Sequence, residues 1–204
     1  KIEPFLLERY FAQHEFTAPY LLCCSDVEGL ALRELLAMAD TESMALWESL
    51  HLGYTDSQGH PLLREEIVCL YPGLTGEDIL VLAPEEGIFI AMNVLLAWGD
   101  HVIATFPGYQ SLYEVARAIG CEVTLWTPRE EAGWFFDLGW LREQIRENTR
   151  LIVVNWPHNP TGALVSHEAF GELLEIVRER GIYLFSDEMY RFLEYEASAR
   201  LPSA

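Results

Sequence analysis

Two segments decide how this chain folds: L-I-V-V-N-W-P-H-N-P-T-G-A-L at 151–164 and I-Y-L-F-S-D-E-M-Y-R-F-L-E-Y at 182–195. Each opens with an apolar, largely β-branched or aromatic run and ends in a polar cluster. Continuous apolar runs of this length, without alternation, read as parallel strands buried on both faces. Between them Ser166 suits a helix N-cap, Glu168 the first turn and Gly181 the C-cap. The unit is therefore βαβ. A short right-handed crossover puts the polar ends of both strands on one carboxyl edge of the sheet, where open α/β sheets bind ligands.

The remaining chain repeats the alternation. Strands are expected at Ile79–Ala83, His101–Phe106 and Glu122–Trp126, with helices from Ile88 to Leu96, before Gly120 and from Leu138 to Glu147. Five strands with intervening helices predict an α/β fold, a mostly parallel sheet with helices on both faces. Lys1 to Asp40 reads as a helical arm, with residues 41–204 as the main domain. Pro61 fits the first turn of a helix after the Gly53 and Gly59 turns.

Composition narrows the function. With 32 acidic residues against 13 basic ones the net charge is −19, which argues against nucleic acid and anionic membranes because both must be met with Lys and Arg. Cys23, Cys24, Cys69 and Cys121 show no C-x-x-C spacing, and no export leader is recognisable, so the expectation is a reducing cytoplasm. The longest apolar run, Ile88 to Trp98, is too short to span a bilayer. No G-x-G-x-x-G follows a strand, no G-x-S-x-G is present, and the six histidines form no metal-binding spacing.

The N-P-T-G turn at 159–162 and the S-D-E-x-Y strand end at 186–190 together resemble the N-terminal part of fold-type I pyridoxal-phosphate enzymes. Class I/II aminotransferases, of the aspartate aminotransferase superfamily, are the nearest in pattern. The resemblance implies a three-layer αβα large domain. It gives Asn159 the cofactor's phenolic oxygen, Asp187 the pyridine nitrogen, and Tyr190 a supporting bond to the same oxygen. Tyr109, in Pro107-Gly108-Tyr109, would stack on the ring. Tyr54, in a Y-x-x-x-x-G segment, would reach across a homodimer to the partner's cofactor phosphate. The turn at Ala83–Gly87 would cradle the chain's own cofactor phosphate through the amides of Glu85 and Glu86. It departs from the family's G-A-x-x-A: Pro84 has no N–H and two carboxylates lie near a dianion, so either those side chains point away and only their amides contribute, or the phosphate grip is weakened.

The implied activity moves an amino group from an amino acid to a 2-oxo acid. A carboxylate beside the ring nitrogen stabilises its protonated form, and donors at the ring oxygen share its negative charge. Lys1 is the only lysine, so the lysine to which the family attaches its cofactor has no counterpart. The expectation is an inactive fragment of a longer aminotransferase. The alternatives are a lysine-free relative acting as a dimerisation scaffold, or a lyase or decarboxylase using the same cofactor.

Overall fold

The computed structural model describes all residues from Lys1 to Ala204. They form two compact units, Lys1–Leu21 with Ala83–Ala204, and Leu22–Leu82. Along the chain run α1 (Leu6–His14), α2 (Leu32–Leu36), α3 (Thr41–Glu48), α4 (Pro61–Val68), α5 (Pro84–Leu95), β1 (His101–Thr105), α6 (Ser111–Ile119), β2 (Glu122–Trp126), α7 (Leu138–Gln144), β3 (Thr149–Asn155), α8 (His167–Arg180) and β4 (Tyr183–Asp187).

The first unit is built on a four-stranded sheet of order β2-β1-β3-β4, and every pair is parallel. Side chains alternate between two cores. Val102, Ala104, Leu151 and Val153 pack with Ile88, Met92, Leu112 and Val115 from α5 and α6. On the opposite face, Ile103, Ile152 and Val154 pack with Leu141 of α7 and Phe170, Leu173 and Ile176 of α8. Because β1 and β3 are covered on both faces, neither shows a polar stripe, which explains their uninterrupted apolar runs. The α8 signals are in place: Ser166 accepts a hydrogen bond from the Ala169 N–H at 3.1 Å, and Gly181 ends the helix at φ 64°, a left-handed conformation that only glycine adopts cheaply.

Two expectations require correction. Ile79–Ala83 joins no strand ladder, so the sheet has four strands rather than five. The Val81 N–H instead donates to the Gln58 carbonyl at 2.9 Å. A β-branched run becomes a strand only when another edge lies alongside it. The arm is also less helical than its periodicity suggested, since between His14 and Leu32 the chain forms no helix. Pro19 and Gly29 interrupt that stretch.

In the second unit Asp40 caps α3, accepting from the Ser43 N–H at 2.7 Å, and Pro61 opens α4 as its fixed φ favours. Arg64 ties the unit together by donating to Gln58 Oε1 at 2.9 Å and to the Gly76 carbonyl at 3.0 Å.

Candidate active site

The sheet order contains one reversal. From β1 the chain moves outward to β2, and from β3 it moves the other way to β4. Loops leaving the carboxyl ends of β1 and β3 thus depart to opposite sides, and the crevice between them is where such sheets bind ligands. The two loops come close. A Cβ on Gly108 would meet the Thr105 carbonyl oxygen at 3.2 Å and that of Asn159 at 4.0 Å, so a side chain there would crowd the crevice wall.

Asn155 organises the far side of this crevice. It lies opposite Asp187 in the β3–β4 register and is 1% exposed. Its Nδ2 donates to the Asp187 carbonyl at 3.1 Å, and its Oδ1 accepts from the Asn159 N–H at 2.8 Å. One amide thereby fixes both the loop that carries Asn159 and the strand end that carries Asp187. The Asn159 side-chain amide then donates to the Tyr190 hydroxyl at 3.3 Å. Asp187 Oδ1 accepts from the Met189 N–H at 3.1 Å. Burial pushes the Asp187 carboxyl above the usual range, the Met189 N–H pulls it partly back, and Glu188 pushes it up again. A carboxylate whose ionised form is disfavoured in this way gains from a cation placed against it.

The Asn159 loop rests on packed rings. Trp126, Phe136 and Trp156 meet edge-on at 5.2 to 6.0 Å between centroids, and Phe136 meets His158 at 5.0 Å. Edge-to-face contacts of this kind fix orientation as well as bury area. His158 is 2% exposed. Its Nδ1 lies 2.7 Å from Thr161 Oγ1, while Nε2 is buried without a hydrogen-bond partner; the Pro107 backbone also acts on the ring, favouring its protonated form. Burial lowers its pKa to about 4. His101 contrasts with it, since both ring nitrogens meet threonine hydroxyls, Thr149 at 2.7 Å and Thr124 at 2.8 Å.

On the near side stands Tyr109, half-buried and edge-on to Phe5 at 4.8 Å. Burial pushes its phenol well above the ordinary range, and the neighbouring Glu85 carboxylate adds to the shift; the charge of Asp187 is close enough to contribute. Tyr109, Glu85 and Asp187 thus share one rim. Glu85, although exposed, reaches back to α6: its Oε1 accepts from Ser111 Oγ at 3.2 Å. Glu86 is exposed on the same first turn of α5. Tyr54 lies in the second unit and is fully exposed.

Sequence reading singled out Asn159, Asp187, Tyr190 and Tyr109, and these side chains are gathered around the switch-point crevice. It missed Asn155 and Ser111. Asn155 alone left a signal, an amide at the end of a fully apolar strand, where a buried polar group must find partners.

The parallel sheet, its central reversal and this rim define an α/β domain of the aspartate aminotransferase type. The family description "Aminotransferase class I and II" matches residues 22–203, and the chain belongs to that family. Among curated relatives, an aspartate aminotransferase from Pyrococcus horikoshii is 36% identical over 155 residues, covering 73% of this chain and 40% of the relative. Capreomycidine synthase from Streptomyces vinaceus is 32% identical over 198 residues, covering 96% of this chain and 49% of that protein. A PLP-dependent aminotransferase structure from Streptococcus suis superposes with TM-score 0.88 at 34% identity, covering all of this chain and 55% of the other. The chain spans about half the length of these proteins, or less. No helix is long and apolar enough to cross a membrane.

Proposed function

We propose that the protein carrying this chain is a pyridoxal-phosphate-dependent aminotransferase that passes an amino group from an amino acid to a 2-oxo acid, and that residues 41–204 belong to its cofactor-binding domain. The observation that carries the reading is the rim on which a half-buried, cation-seeking Asp187 is braced through Asn155 to the Asn159–Tyr190 pair.

The residues fit the ring end of the cofactor. Asp187 would hold a proton on the ring nitrogen, because its own charge is costly there unless a cation meets it. Asn159 and Tyr190 offer an amide and a phenol to the ring oxygen, and Tyr109 supplies a flat, water-excluding surface. At the phosphate end, the first-turn amides of Glu85 and Glu86 are the donors, because Pro84 has none. The bound cofactor supplies the electron sink that lets the amino acid lose its α-proton. Lys1 is the only lysine in the chain, so no residue here is given the covalent attachment. The proposal includes a cytoplasmic homodimer in which Tyr54 contacts the partner's cofactor; its full exposure supports that role.

A second reading uses the same cofactor for a lyase-type reaction. One relative similar over 96% of this chain is named capreomycidine synthase rather than an aminotransferase, so likeness to this chain is not confined to proteins named for amino-group transfer. Product analysis of the full-length protein with pyridoxal phosphate and a panel of amino acids and 2-oxo acids separates the two. Stoichiometric appearance of a new amino acid supports transfer, and product without consumption of a 2-oxo acid supports the second reading. Absence of bound cofactor in the full-length protein would reject both.

A further inference from the structure

The segment before α1 docks on the loop after β1 through one side chain. The Gln110 amide accepts from the Leu6 N–H at 3.0 Å through Oε1 and donates to the Pro4 carbonyl at 3.0 Å through Nε2. It thus offers the backbone one acceptor and one donor, as a neighbouring strand would. Gln110 occupies the N-cap position of α6, yet its side chain does not cap that helix. A residue placed where its side chain would ordinarily satisfy the local amides spends its polar group on residues more than a hundred positions away. Between the two bonds Phe5 is set edge-on to Tyr109, with centroids 4.8 Å apart and planes at 66°. The docked residues precede the stretch matched by the family description, which begins at residue 22.

We propose that Gln110 is a positioning residue, a latch that fastens Pro4–Leu6 so that Phe5 closes the outer edge of Tyr109. Release of the latch uncovers that edge of the crevice. The proposal depends on the aminotransferase reading only for its consequence in turnover, because the docking itself is a property of this chain.

Hydrogen exchange and tryptic cleavage after Arg9 in the full-length protein test it. A net hydrogen bond is worth roughly a factor of five, so Gln110→Ala, which removes two, should lower protection at Leu6 by roughly 30-fold and speed cleavage after Arg9 similarly, with the β3 amides unchanged as internal reference. Gln110→Glu keeps the acceptor but loses the donor while ionised. On protonation, near the ordinary glutamate range of about 4.3, a carboxylic acid again has one donor and one acceptor. Protection at Leu6 relative to β3 should then recover in Gln110→Glu and not in Gln110→Ala. In the loaded enzyme Gln110→Ala should raise KM for the amino donor several-fold, with kcat changed less than about twofold. Equal protection in all three proteins, or loss without recovery in Gln110→Glu, overturns the latch. If the full-length protein binds no pyridoxal phosphate while the exchange results stand, the aminotransferase reading fails and the latch remains.

Discussion

Acidification should destabilise the fold through His158 before the carboxylates with lowered pKa values respond. This imidazole is buried among Phe136 and the Asn159 loop, with one nitrogen on Thr161 and the other lacking a complete hydrogen bond. Its pKa falls from an ordinary 6.5 to about 4 because burial disfavours the cation. The unfolded chain therefore binds the proton more readily than the native one. The stability that neutral His158 preserves is fully present above pH 6.5 and is lost as pH falls toward 4. Linkage gives a loss of about 2 kcal/mol by pH 5 and roughly 3 kcal/mol by pH 4. Asp40, Asp78, Glu122 and Glu168 have lowered pKa values, so their contributions fade only as pH falls through and below the ordinary 3.8 to 4.5. His101 is shifted in the same direction as His158, and Asp187, with its raised pKa, gains stability as pH falls, so the wild-type curve alone mixes the three. Urea unfolding of wild type and His158→Gln at pH 7, 6 and 5 isolates the term: the wild type should lose about 2 kcal/mol more than the variant. Parallel stability curves over that range would refute the assignment of a buried neutral imidazole.

Three other perturbations probe the rim. Asp187→Asn removes a charge whose ionised form burial disfavours while keeping an acceptor for Met189, so it should raise the melting temperature of the cofactor-free protein at neutral pH. The same change should lower turnover of the full-length enzyme by roughly 100-fold or more; unchanged turnover would reject Asp187 as the nitrogen partner. Asn155→Ala leaves the Asn159 N–H and the Asp187 carbonyl without this partner and should cost about 2–4 kcal/mol in denaturant unfolding, whereas a loss below about 0.5 kcal/mol would show that it is no hub. Tyr190→Phe should change stability by less than about 1 kcal/mol yet weaken retention of pyridoxal phosphate on dialysis, which equal retention would contradict.

The sheet was legible because β1 and β3 are covered on both faces, leaving apolar runs that admit few other readings. Ile79–Ala83 carries the same chemistry, but pairing depends on a neighbouring edge that local sequence does not encode. At the crevice, Asn159, Asp187 and Tyr190 stand where strand ends and turn residues advertise themselves. The placement of the Glu85 carboxylate depends on Ser111, 26 residues later, and on Tyr109. Gln110 finds its partners 104 and 106 residues away. Neither spacing leaves a periodic trace, so both were beyond sequence reading.

The insertion of β3 between β1 and β4 also orders events during synthesis. When β2 has emerged, β1 has one neighbour and an open inner flank, and a parallel pair alone is a poor folding unit. That flank stays unsatisfied until Thr149–Asn155 arrives and locks in beside it. The same strand delivers Asn155, so the wedge that completes the scaffold also brings the amide that joins the two halves of the crevice.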